Sequence, residues 1–254
     1  LIRILRELMA RREKFDHILV ETSGLADPQP VAATFFVDDA VARQVSLDGI
    51  VTLVDAKHIA QHLDDPGLRG HDNQAVDQIV TADRVIVNKV DLVGEAEAAA
   101  VEARVRSLNA TAEIIRSSYA KVALERILGI GAFDLAQTMA IEPDVLDDHH
   151  HAHSHDPEVE SFAVVHGENF SQARLAGFLK RLLDAHGDDL FRVKGIVAVA
   201  GDHRRYVLQA VHRIMELRPA NPWGQSTPSS KIVFIGRNLD RAAIEAGLEA
   251  CLAA

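Results

Sequence analysis

The sequence predicts an α/β core built on a parallel sheet, followed by a smaller α+β module. Two observations carry this reading. Short apolar runs at residues 18–20, 49–54 and 85–87 have the pattern of strands covered on both faces, and each ends in a polar group, Glu21, Asp55 or Asn88. Beyond an acidic, His-rich stretch at 143–158 the pattern changes to alternating strands with two amphipathic helices, which suits a compact α+β unit.

Residues 1–12 read as a helix, because Leu1, Leu5, Leu8 and Met9 recur at helical spacing with arginines on the other face. The run 18–20 then ends in Glu21, Thr22, Ser23 and Gly24. In open α/β sheets, ligands bind at that carboxyl edge. A carboxylate there can hold Mg²⁺ directly or through water, and a glycine can bring its N–H close to a terminal phosphate. The plainer alternative is a buried strand running into a capped loop. Asp27-Pro28 opens a new segment, since the residue before proline is pushed away from helix. Residues 30–36 and 40–45 read as a helical stretch broken at 37–39.

The next strand, 49–55, is GIVTLVD, and a short helix and a DDPG turn follow it. Asp55 and His58 could touch a metal or a switch element, but capping and surface roles suit them better. A helix over 71–82, with Ala75, Val76 and Ile79 inward, leads into RVIVNKVD at 84–91. There a buried strand delivers Asn88, Lys89 and Asp91, the N-K-x-D pattern of guanine-specific sites. The aspartate accepts from the guanine N1–H and exocyclic amine, which adenine cannot offer. The lysine stem lies along base and sugar, and the asparagine braces the loop. Position favours this reading over a charged strand-to-helix turn: the pattern follows a strand, lies downstream of Glu21 and precedes a helix. Residues 94–109 form a helix of high propensity. A strand at 112–116 ends in Ser117-Ser118, and 123–128 makes a short helix.

The linker PDVLDDHHHAHSHDPE is polar, acidic and flanked by prolines, so it should be exposed. It gathers His149, His150, His151, His153 and His155 beside Asp147, Asp148 and Asp156. Imidazoles suit Zn²⁺, Ni²⁺ and Co²⁺, and nearby carboxylates add oxygen donors. Metal loading is favoured over an inert linker, with modest affinity and little selectivity. In the C-terminal part, strands are expected at 159–166, 195–200, 206–217 and 231–236. Ser171 should cap a helix through Ala185, with Leu175, Phe178, Leu179 and Leu182 inward, and a helix over 240–252 closes the chain. Pro222-Trp223-Gly224 suits a packed turn, and Cys251 suits packing.

At 254 residues the chain accommodates a nucleotide-binding domain and a smaller second one. Its 27 basic and 37 acidic residues give a net charge of −10, which argues against nucleic acid as the main partner. The single cysteine excludes an intrachain disulfide and any CxxC metal site. No apolar run approaches the roughly 18–20 residues of a membrane span, and no signal peptide is visible, so the expected location is cytoplasmic.

HILVETSGLADPQPVAATFF, DGIVTLVDAKH, ADRVIVNKVDLV, the His-rich run and PWGQSTPSSKIVFIGRNLDR together resemble the CobW family of P-loop GTPases. These are metallochaperone-like relatives of the nickel-insertion GTPases. The resemblance implies an α/β P-loop GTPase-type parallel sheet at 1–142, the His-rich linker at 143–158 and a CobW-type α+β domain at 159–254. It implies GTP and GDP as ligands, Mg²⁺ at Glu21, γ-phosphate sensing at Gly24, and guanine selection by Asn88, Lys89 and Asp91. Ser117 then falls where such GTPases place a small-residue loop against the guanine carbonyl. The carried metal is expected to be Zn²⁺ foremost, with Co²⁺ or Ni²⁺ as alternatives. The partner would be a client metalloprotein, with a homodimer left open.

The sequence contains no GxxxxGK[ST] loop and no C-x-C-C segment, which the family carries upstream. The expected sheet is therefore incomplete, its first strand missing, and the 254-residue chain is expected not to hydrolyse GTP. A competing reading makes the chain a non-catalytic metal-binding or client-docking module that uses the His run.

Overall fold

A computed structural model describes residues 1–22, 24, 28–37, 44–45, 47–65, 73–132, 159–187 and 189–253. The chain divides into two compact units, residues 1–101 with 113–130 and residues 102–112 with 131–254. The expected helical stretch 40–45, the expected turn 64–67 and the linker 143–158 lie wholly or in part outside the described residues.

The first unit holds a parallel sheet of three strands in the order β1-β2-β3. These are β1 (Val51–Asp55), β2 (Arg84–Asn88) and β3 (Glu113–Arg116). The register sets Asp55 beside Asn88, and Val87 beside Arg116. All five residues of β2 are buried, as its unbroken apolar run requires of a central strand. Asp83 locks the entry of β2 to that of β1, because its Oδ2 accepts the Ile50 N–H at 3.0 Å.

Helices α1 (Ile2–Met9), α2 (Gln29–Val37), α3 (Ile59–Leu63), α4 (Gln74–Thr81) and α5 (Glu95–Leu108) accompany these strands in sequence. In α1, Leu5 and Met9 are buried while Leu1 stays exposed. Asn73 starts α4, its Oδ1 accepting the Val76 N–H at 3.3 Å. Val76, Ile79 and Val80 form the buried stripe of that helix.

One expectation fails here. Residues 18–20 join no ladder, and Leu19 is 78% exposed. An apolar run states a preference for burial, but a strand also needs a neighbour's N–H and C=O groups. Among the described residues the ladder ends at β1.

The second unit carries an antiparallel sheet of five strands in the order β4-β8-β5-β6-β7. Its strands are β4 (Val159–His166), β5 (Leu190–Ala198), β6 (Arg204–Val211), β7 (Ile214–Pro222) and β8 (Ser230–Arg237). Helices α6 (Gln172–His186) and α7 (Arg241–Glu249) complete it. Leu175, Leu179 and Leu183 of α6 and Ile244 and Leu248 of α7 pack with Phe162, Val193, Leu208 and Phe234 in one core. Phe162 and Phe234 stack across β4 and β8 with centroids 5.4 Å apart.

The expected single strand 206–217 is two strands joined at His212-Arg213, with His212 in the left-handed region at φ 48°. No Asn-Gly or Asp-Gly pair marks that turn in the sequence. Ser171 occupies the cap position of α6, but its side chain makes no cap bond, and its N–H donates instead to the Cys251 carbonyl at 2.9 Å. Trp223 lies under the Arg205 guanidinium, 4.8 Å from ring centre, as a packed turn should. Cys251 is buried, its thiol donating to the Gly247 carbonyl at 3.1 Å.

Candidate functional site

Asn88, Lys89, Asp91 and Ser117 come together at the carboxyl ends of β2 and β3. Asn88 is the last residue of β2 and is buried. Its Oδ1 accepts the Ala120 N–H at 2.9 Å, so the asparagine braces the loop after β3. Ser117 is held from both sides. Its N–H donates to the Val87 carbonyl at 2.9 Å, and its own carbonyl accepts the Val90 N–H at 3.2 Å. The Ser117 hydroxyl donates to the Lys121 carbonyl at 3.2 Å, closing the loop on itself.

Asp91 sits exposed on the single 3₁₀ turn Val90–Leu92, which Lys89 begins. Lys89 has φ 64° and ψ 31°, and Tyr119 and Ala120 have φ 57° and 53°. Left-handed backbone at non-glycine residues costs on the order of 1–3 kcal/mol each and gathers at binding sites. Here it turns the chain sharply just past two strand ends.

The Lys89 ammonium is paired. Its Nζ donates to Asp55 Oδ2 at 2.7 Å, reaching across from the end of β2 to the end of β1. Asp55 also faces His58 Nδ1 at 3.1 Å, and its Oδ1 accepts the Lys57 N–H at 2.9 Å. Partial burial works to raise the Asp55 carboxyl. The hydrogen bonds from Lys89, His58 and the Lys57 N–H outweigh it and hold the group well below the usual carboxylate range. Asp55 makes a local turn with the Lys57 N–H and does not cap α3, whose cap position is His58; its pairing with Lys89 was not visible in the sequence. A parallel register setting Asp55 beside Asn88 is what brings the two together.

Glu21 and Gly24 lie on the chain segment that precedes α2. Glu21 is exposed in the unpaired segment. The Gly24 carbonyl accepts Gln78 Nε2 of α4 at 2.8 Å, while the Gln78 carbonyl accepts the Thr52 hydroxyl at 2.7 Å. The histidines at 149–155 lie outside the described residues. Among the described residues, no group of three His, Cys, Asp or Glu side chains could hold a metal ion. Mg²⁺ takes one or two carboxylates together with substrate phosphates, so Glu21 by itself makes no Mg²⁺ site. The described donor set does not by itself fit a metal.

Residues 1–116 match the CobW/HypB/UreG nucleotide-binding domain, and residues 159–252 match the cobalamin synthesis protein cobW C-terminal domain. The zinc chaperone CobW of a Sinorhizobium species is 31% identical over 272 residues, covering 96% of this chain and 74% of that protein. The chain belongs to the CobW family. The zinc chaperone YjiA of Escherichia coli is 28% identical, with 92% of this chain and 70% of that one matched. For the zinc-regulated GTPase metalloprotein activator 1 of Saccharomyces cerevisiae the identity is 29%, and the match spans 91% of this chain but 61% of the yeast protein's length. Among solved structures, Zn(II)-bound YjiA GTPase from E. coli superposes with a TM-score of 0.78 at 26% identity, covering 98% of this chain and 76% of that one. The CobW-family chain described here thus has the two-part α/β and antiparallel architecture of that GTPase.

Proposed function

We propose that this chain works as a GTP-dependent metallochaperone that binds guanine nucleotide, and that nucleotide state governs delivery of a carried metal, Zn²⁺ foremost. The observation that carries the proposal is the assembly of Asn88, Lys89 and Asp91 at one sheet edge, with Asn88 clamped to the loop after β3. Asp91 accepts the N1–H and exocyclic amine of guanine, Lys89 runs along base and sugar, and the loop 117–120 closes the carbonyl side of the base. Glu21 would hold Mg²⁺ only together with the nucleotide's phosphates, and Gly24 would lie at the γ-phosphate. The metal is cargo. The names of the relatives, zinc chaperones and a metalloprotein activator, support zinc as cargo and a client metalloprotein as its destination.

No helix among the described residues is long and apolar enough to cross a membrane, which is compatible with the proposed cytoplasmic location. His149, His150, His151, His153 and His155 are proposed to load or buffer the metal.

The test is base specificity. Asp91→Asn exchanges one acceptor for a donor, matching the C2 carbonyl of xanthine in place of the guanine amine. Wild type should prefer GDP over xanthosine diphosphate, and the variant should reverse that order in calorimetric titrations. An unchanged preference would remove Asp91 from the site. Zinc titration of a chain with the five linker histidines replaced by serine tests the cargo role; unaltered zinc binding would make the run a plain linker.

A further inference from the structure

We propose that Asp55 is the positioning residue of the guanine-motif lysine, fixing the Lys89 side chain before a nucleotide arrives. The inference rests on the guanine-site reading and deepens it.

A lysine stem has four rotatable bonds, and the Lys89 side chain is 47% exposed. Left to itself it would sample many rotamers and be ordered only when nucleotide binds, at a cost to affinity. Asp55 removes that freedom, because Lys89 Nζ lies 2.7 Å from its Oδ2. An anchor must itself be fixed, and Asp55 is. Its Oδ1 is held by the Lys57 N–H and its Oδ2 also faces His58 Nδ1, while the Asp55 side chain is only 29% exposed. The backbone beneath is equally determined. Asp55 pairs in register with Asn88, and the ladder runs one step further, the Ala56 N–H donating to the Asn88 carbonyl at 2.9 Å. The left-handed backbone of Lys89 turns its side chain off the strand at that point. Two strand ends thus fix both partners, and the ammonium has a defined place.

A surface ion pair of this exposure contributes little to folding. A purely structural pair would leave nucleotide affinity alone, whereas a positioning pair changes affinity only while the lysine is present. The experiment is a double-mutant cycle on the 254-residue chain, titrated with a fluorescent GDP analogue, using Asp55→Ala, Lys89→Met and the double variant. Thermal melts of each accompany the titrations. Asp55→Ala should weaken GDP about three- to tenfold, the effect of leaving one long side chain unordered. In the Lys89→Met background the same substitution should weaken GDP no further. Asp55→Asn keeps the acceptor for the Lys57 N–H while removing the charge; it should fall with Asp55→Ala, and it serves as the folded variant if alanine melts early. Affinity unchanged or tightened by Asp55→Ala overturns the inference, as does an equal loss with and without the lysine. A wild-type chain that binds no GDP overturns the guanine-site reading itself, a result distinct from either.

Discussion

The amide oxygen of Asn88 accepts the backbone N–H of Ala120 at 2.9 Å, joining the end of β2 to the loop that leaves β3. The bond spans two left-handed residues, Tyr119 and Ala120, which no glycine eases. Asn88 is buried, whereas Ala120 lies at the surface.

Replacing Asn88 with alanine leaves the Ala120 N–H without its acceptor. The expected loss is about 0.5–1.5 kcal/mol of stability, the net contribution of one hydrogen bond whose donor can turn to water. Amide exchange at Ala120 should rise well above that at Ser117, whose N–H stays bonded to Val87. Equal protection at Ala120 in variant and wild type would show that the loop holds itself.

How far the sequence foretold this arrangement depends on the kind of signal. Strand β2 was plain, since an unbroken apolar run needs cover on both faces and β2 has it. The guanine motif was plain because its residues follow one another along the chain. The Asp55–Lys89 pair was not, because it depends on the register between two strands, and register is a property of pairing. Residues 18–20 misled for the same reason: apolar character was read as a strand where no ladder partner is described. The hairpin at His212 was missed because its left-handed residue is neither glycine nor asparagine. Buried Arg192, Lys194 and Gln209 on β5 and β6 likewise escaped notice, as polar side chains give no apolar pattern that marks them as buried.

The hydrolysis rate expected of the 254-residue chain depends on which motifs its sequence holds. GTPases derive most of their rate from a phosphate-cradling lysine, a bound Mg²⁺ and oriented backbone amides. The sequence holds no GxxxxGK[ST] segment. Phosphate release from GTP by this chain should therefore stay at the buffer level. A turnover of about 10⁻⁴–10⁻² s⁻¹, the range of unassisted GTPases, would show that other residues cradle the phosphates.

Tyr206 offers a pH signature in the second unit. Its hydroxyl donates to Asp202 Oδ2 at 2.9 Å, and Asp202 is also held by Arg204 Nη2 at 2.7 Å. The hydrogen bond to Asp202, then burial, raise the phenol above its usual value of 10.0, while Arg204 holds the Asp202 carboxyl below the ordinary range. The signs are opposite. The tyrosine's contribution to stability is present below about pH 10 and fades as pH climbs through its raised value; the aspartate's is present above about pH 4 and fades as pH falls. The chain has two tyrosines, so absorbance at alkaline pH resolves them. Tyr206→Phe should remove a late-titrating phenol, and Asp202→Ala should bring that phenol down toward 10. Two phenols titrating together at the ordinary value in wild type would dismiss the Asp202 bond.

One substitution made at two glycines should give opposite signs. Gly195 lies mid-strand in β5, paired with Leu208 on one side and Ile232 on the other. A Cβ there would sit 2.7 Å from the Lys231 carbonyl oxygen and 3.0 Å from Ile232 Cα, both backbone atoms that cannot step aside. Gly195→Ala must spread the β5–β8 ladder, at a cost on the order of 1–3 kcal/mol. Gly177 lies inside α6, where a Cβ would meet only the end of Arg181 at 3.5 Å. Gly177→Ala trades a floppy unfolded backbone for a helix former and should stabilise by roughly 0.5–1 kcal/mol. Urea unfolding followed by the single tryptophan, Trp223, reads both, since it lies in the second unit with the two glycines. A midpoint that falls for Gly177→Ala would mean that α6 packs more tightly at that turn than its open face allows; one that holds for Gly195→Ala would mean the central ladder yields without cost.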